Sequence, residues 1–268
     1  MARARHVTVN GRGTRVLEGG GGRALVLLHA FPLSADMWDA QLESAPDGWW
    51  FIAPDLRGFG PRDAPVDTSQ RMDDYGADVL ALMDALAIET AVIGGLSMGG
   101  YITFAMFRQA PERFGGIVLA DTKAPSDTEE GRAGRRAMSE TVKSSGVSAI
   151  VDTLIPRLLG ETTRRERPEV EARAIRLMSG NSARAIDAAL HALMMRPDST
   201  PDLARIGCPA LIVVGQEDSL TPPAEAELLA SSIRGAELVI VPRAGHLSNV
   251  EAPETFSGAL AAFLSRAF

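Results

Sequence analysis

Short apolar runs alternate along this chain with stretches in which apolar residues recur every three or four positions. The runs "ALVLLHA", "WWFIAPD", "TAVIGGLS", "GGIVLAD", "PALIVVG" and "AELVIVP" are apolar nearly throughout. That is the pattern of strands buried on both faces of a parallel sheet. Ahead of them, "HVTVNG" and "TRVLEG" are separated by a turn and predict an opening antiparallel hairpin. Between the later runs lie helical patterns, "MDDYGADVLALMDALAI", "MGGYITFAMFRQAPERF", "PAEAELLASSI" and "PETFSGALAAFLSRAF". In the first of these, Val79, Leu82, Met83 and Leu86 define one face of a helix. Eight strands with intervening helices predict an α/β fold, a mostly parallel sheet with helices on both faces.

One stretch breaks the alternation. Residues 124–202 contain no convincing strand, only amphipathic helical patterns punctuated by Gly and Pro. The expected organisation is a core in two parts, 1–123 and 203–268, with 124–202 inserted as a helical cap. Such a cap would lie over the carboxyl ends of the strands, where open α/β sheets bind ligands. The run Gly19–Gly22 reads as a flexible turn, because it lacks the spacing of a phosphate cradle.

Composition narrows the function classes. With 46% hydrophobic and 23% charged residues in 268, the chain is an ordinary globular protein with a full core. A formal net charge of -7 gives no field for nucleic acid or anionic lipid, so neither is expected as a partner. The basic clusters "GRAGRR" and "TTRRERP" are interleaved with acids and read as solvated helical faces. Cys208 is the only cysteine, which rules out an intrachain disulfide and thiolate metal clusters. The N-terminus lacks the apolar core of a signal peptide, and no run approaches the ~18 apolar residues of a membrane span. The expected location is the cytoplasm.

The chemistry gathers around "VIGGLSMGGYITF". Gly95, Leu96, Ser97, Met98 and Gly99 match G-x-S-x-G between a strand and a helix, the setting of a nucleophile elbow. A serine hydroxyl needs a base, and on this kind of fold the order is Ser, acid, His. Only His191 and His246 follow Ser97. His191 sits in the helical pattern "IDAALHALMMR", where a half-buried structural role is expected, which leaves His246, in "VPRAGHLSNVEAPE", as the base. For the acid, "ALIVVGQEDSLTPP" offers Asp218 as the first candidate, with Glu217 and Asp121 as alternatives. The oxyanion donors are expected from the backbone N–H groups of Met98 and of Phe31, in the loop after "ALVLLH". No H-E-x-x-H or other paired ligand spacing exists, so neither a metal nor another cofactor is expected. Met194 and Met195 are candidates for an acyl pocket or for core packing, and Asp55 and Arg57 for holding loops together.

These segments carry a family resemblance. "HAFPLSADMW", "DLRGFG", "GLSMGG", "GQEDSLTPP" and "AGHLSNVEAPE", in this order, resemble the α/β-hydrolases of the esterase, 3-oxoadipate enol-lactonase and cofactor-free haloperoxidase (perhydrolase) group. The likeness spans nearly the whole chain and is loosest in the cap, apart from "ALMMRPDSTPDL". It implies a serine hydrolase acting on small carboxylic esters or lactones through an acyl-enzyme. Peracid formation at the same site and a non-turnover ligand receptor are the alternatives. Ala30 stands where many relatives carry glycine, and Phe31–Pro32 resembles the perhydrolase oxyanion turn. Dehalogenase and epoxide hydrolase relatives would need Asp at position 97. Substrate identity and oligomeric state are not legible.

Overall fold

The computed structural model describes residues 3–60, 67 and 69–268. Its strands are β1 (Arg3–Val9), β2 (Arg12–Gly20), β3 (Arg23–Leu28), β4 (Trp49–Pro54), β5 (Ala91–Leu96), β6 (Phe114–Ala120), β7 (Ala210–Gly215) and β8 (Glu237–Val241). They form one eight-stranded sheet in the order β1-β2-β4-β3-β5-β6-β7-β8. β1 and β2 form the antiparallel hairpin and β2 runs antiparallel to β4, while every later pairing is parallel. The strand order reverses between β3 and β5, and ligand crevices open at such a switch point.

The apolar runs become central strands because both of their faces are covered. Every residue of β5 and β7 is buried, as are five of six in β3. Helices α1 (Asp39–Glu43), α2 (Met72–Ala85), α3 (Met98–Gln109), α10 (Pro223–Ser232), α11 (Ser248–Glu251) and α12 (Pro253–Ala267) pack around them. Val79, Leu82 and Met83 of α2 are buried, as the periodicity predicts. Leu86 falls one residue beyond the helix and is half-buried.

Between β6 and β7 the chain is helical: α4 (Glu129–Ser145), α5 (Ser148–Leu158), α6 (Glu161–Glu166), α7 (Pro168–Ser179), α8 (Ala183–Met194) and α9 (Thr200–Leu203). Side-chain caps start two of them: Thr128 accepts from Gly131 N and Ser182 from Ala185 N. α8 is the buried centre of this insertion, and Asp187 on it pairs with Ser139 and Lys143 of α4.

Three local expectations change. Gly19 and Gly20 belong to β2, opposite Phe51 and Trp50, and only glycine fits there, because a side chain at either would strike the Leu42 or Trp49 carbonyl. Arg135 of "GRAGRR" turns inward to Asp127 while Arg132 and Arg136 stay outside on Glu129. The last loop holds α11 ahead of the C-terminal helix. Among the described residues, no helix is long and apolar enough to cross a membrane.

Candidate active site

β5 ends in a turn too tight for side chains at Gly95 and Gly99. A Cβ on Gly95 would lie 2.1 Å from the Gly99 carbonyl carbon, and one on Gly99 would lie 2.2 Å from the Leu28 carbonyl oxygen of β3. The two glycines let strand, turn and helix touch backbone to backbone. Ser97 itself has φ 56° and ψ −111°, a strained position for a non-glycine residue. Its backbone is pinned by Ser97 N donating to Ala120 O and by the Thr122 hydroxyl donating to Ser97 O.

Ser97 Oγ lies 2.8 Å from His246 Nε2, and His246 Nδ1 lies 2.8 Å from Asp218 Oδ2. The three side chains, 149 and 28 residues apart in pairs, form one hydrogen-bonded chain. Asp218 is fixed in turn. Its Oδ1 accepts from Leu220 N and Thr221 N, and its Oδ2 accepts from the Thr221 hydroxyl at 2.6 Å. A carboxylate so supplied with donors holds Nδ1–H and leaves the Nε2 lone pair to face Ser97.

Electrostatics follow from this geometry. Burial opposes charge on His246, but the adjoining Asp218 carboxylate outweighs it, and the imidazole pKa lies above its ordinary 6.5. Burial would raise Asp218, yet the His246 charge and the surrounding hydrogen bonds bring it below the usual carboxylate range. Asp121 goes the other way. It is fully buried, and burial together with the Asp218 charge holds it well above that range.

The two other acid candidates have separate partners. Asp121 accepts from Gly215 N and meets both the amide and the hydroxyl of Ser248. Glu217 turns away to Thr162, accepting from its amide at 2.8 Å and its hydroxyl at 2.5 Å. His191 is 41% exposed and sits 3.7 Å from Asp187, outside the site.

The N–H groups of Phe31 and Met98 have no hydrogen-bond acceptor among the described residues, and both residues line the cavity at Ser97. The loop carrying Phe31 is braced by His29, which is pushed down to about 4 by burial and stays neutral. It donates from Nδ1 to Ala30 O and accepts Leu56 N on Nε2, joining "HAFP" to "DLRGFG". Ala30 is fully buried, its carbonyl taken by Leu33 N. Asp55 holds Ala35 N and Arg15, and Arg57 holds Asp78, so both tie loops together.

The cavity measures about 420 Å³. Its floor is Phe31, Ser97, Met98 and His246, and its outer wall comes from the insertion, including Met138, Leu154, Leu158 and Leu193. Met194 is buried and Met195 is 68% exposed, and neither lines it. Lys123, Arg135 and Arg157 bring positive charge to the wall, against Asp127 and Glu130. Asp127 is already engaged by Arg135 and by Arg196, whose guanidinium lies 4.2 Å from the Tyr101 ring centroid. A narrower cavity of about 60 Å³ under the β1–β2 hairpin shares no lining residue with this one. No group of three or more His, Cys, Asp or Glu side chains among the described residues is placed to hold a metal ion.

Sequence reading missed Thr221, the Asp127–Arg196–Tyr101 stack and the buried Glu251.

The chain belongs to the α/β hydrolase fold family, matched over residues 23–253. Within it, the chain is 30% identical to 3-oxoadipate enol-lactonase 2 of Acinetobacter baylyi over 243 residues, 91% of this chain and 89% of that one. It is 32% identical to a non-heme chloroperoxidase of Streptomyces lividans, covering 79% and 82% of the two chains. Among solved structures, a thermophilic esterase from Thermogutta terrifontis superposes with a TM-score of 0.93 at 35% identity, over 99% of each chain. The chain is thus an α/β hydrolase whose relatives include enol-lactonases, esterases and haloperoxidases.

Proposed function

We propose that this α/β hydrolase cleaves small carboxylic esters or lactones through an acyl-enzyme on Ser97. The observation that carries the proposal is the unbroken chain Ser97 Oγ–His246 Nε2, His246 Nδ1–Asp218 Oδ2 opening into the cavity. In this reading Ser97 Oγ attacks the substrate carbonyl carbon while Nε2 takes its proton. The negative charge on the former carbonyl oxygen is held by the Phe31 and Met98 N–H groups, and Asp218 stabilises the imidazolium. Collapse expels the alcohol, which receives the proton from Nε2. A water then attacks the acyl-serine with His246 again as base, releasing the acid and restoring Ser97. In a lactone the alcohol remains tethered to the acyl group and leaves with it.

The insertion acts as a cap that shapes the acyl and alcohol pockets. A second reading, peracid formation, needs only hydrogen peroxide in place of water as acceptor, and the chloroperoxidase relative favours it.

Fluorophosphonate labelling with peptide mapping, beside turnover of short p-nitrophenyl esters, tests the proposal. A single label on Ser97, steady release, and a fall in kcat of about 10⁴–10⁶ in Ser97→Ala are expected. A label elsewhere overturns the nucleophile. Tight binding without turnover would make the protein a receptor.

A further inference from the structure

Two carboxylates outside the Ser97–His246–Asp218 chain converge on one short stretch of the insertion. Glu251 is only 2% exposed. Its Oε1 accepts from Gly245 N at 2.9 Å and Leu247 N at 3.2 Å, the amides on either side of His246. Its Oε2 accepts from Gly160 N at 2.9 Å and the Thr163 hydroxyl at 2.6 Å. Glu217, the neighbour of Asp218, takes both donors of Thr162. His246 N itself donates to Leu158 O at 3.0 Å. Residues 158–163 therefore hold the histidine loop and the acid loop together.

Contact there is backbone to backbone. A Cβ on Gly245 would lie 2.2 Å from Gly160 N, and one on Gly160 would lie 2.9 Å from Gly245 N. The Arg167 guanidinium reaches the Thr163 hydroxyl and the carbonyls of Glu251 and Arg243, supplying the cation of the cluster.

We propose that Glu251 is a positioning residue for His246, fixing the backbone on both sides of the ring against the Leu158–Thr163 segment and so setting the Ser97–His246 alignment. The inference rests on reading His246 as the base. All four donors are N–H or O–H groups that only an acceptor satisfies, and in a buried site no water replaces it. Reacting groups are sensitive to placement, a 1 Å shift costing about 10² in rate. Glu251 also acts on the ring by charge, alongside Asp218 and Asp121, the other acidic groups that bear on it.

Glu251→Gln tests this, because the amide keeps the volume but turns an NH₂ toward one pair of donors. The expected result is a fall in kcat of about 10² with KM within a few-fold, and slower inactivation by phenylmethylsulfonyl fluoride in parallel. The ascending limb of kcat/KM against pH should move to lower pH, since one negative charge near the imidazole is gone. Should that variant not fold, Glu251→Asp keeps the charge but cannot span both pairs. It should then lower kcat without moving the limb. Thr163→Val, which removes one donor only, should fold and lose less than either. A folded Glu251 variant with wild-type kcat per titrated active site overturns the proposal. His246→Ala separates the two readings. If it retains activity, the base assignment fails, and if it abolishes activity while the Glu251 variants are normal, only the positioning role fails.

Discussion

Asp218 reaches His246 with a single oxygen. Oδ2 meets the imidazole at 2.8 Å, and Oδ1 is spent on the backbone of its own turn. An amide at this position would keep the turn but face the ring with either the wrong tautomer or a repelled donor. Asp218→Asn is expected to fold and to lose about 10⁴ in kcat. Asp121→Asn should lose less than about tenfold, because Asp121 is bound to Gly215 N and Ser248 and makes no hydrogen bond to His246. Parallel kinetics on the two variants decide the acid, and a reversed order would move the role to Asp121.

In the proposed route only a neutral His246 accepts the serine proton, so activity should rise as pH passes upward through its pKa. Since Asp218 raises that value, kcat/KM should have one ascending limb with its midpoint above about 6.5. In the residual activity of Asp218→Asn, burial is no longer opposed by that carboxylate, and the midpoint should fall. A pH–rate profile of each protein checks both signs.

The elbow tolerates no Cβ at Gly95, where a methyl group would meet the Gly99 backbone at 2.1 Å. Gly95→Ala must displace the turn that presents Ser97. A loss of about 1–3 kcal/mol in stability is expected, with a larger proportional loss of kcat. Thermal melts beside steady-state rates separate the two effects.

In the proposed route the oxyanion is stabilised by the Phe31 and Met98 N–H groups. Dialysis against EDTA should therefore leave the esterase rate unchanged. Loss of activity restored by added Zn²⁺ or Mn²⁺ would overturn the serine mechanism as a whole.

Legibility in the sequence tracked how local each determinant is. β3, β5, β6 and β7 were readable because burial on both faces writes a continuous apolar run. The elbow was readable because its glycines and Ser97 lie within five residues. His246 followed from chain order and the scarcity of histidines. For the acid the sequence puts Asp218 first but leaves Glu217 and Asp121 open, since all three lie just after a strand, and what distinguishes them is the direction each side chain takes. Arg135 and Glu251 escaped for a related reason. Their partners, Asp127 and the Gly160–Thr163 backbone, are matters of tertiary packing that no periodicity encodes.

The anchoring of residues 158–163 also marks where this gene can be cut and rejoined. Ser97, Asp218 and His246 stand on turns at the ends of strands, and much of the cavity wall comes from α4, α5 and α8. A chimera that imports a relative's insertion but keeps the host's Leu158–Thr163 register and Asn181 should inherit new walls while the Ser97–His246–Asp218 hydrogen bonds stay in place. One that replaces those six residues as well must carry the donor's 217 and 251 counterparts with them. On the proposed function, substrate range and reaction chemistry would be separable modules, joined at the 158–163 seam and at Asn181, which bonds Pro32 O and Gly60 N beside the Phe31 loop.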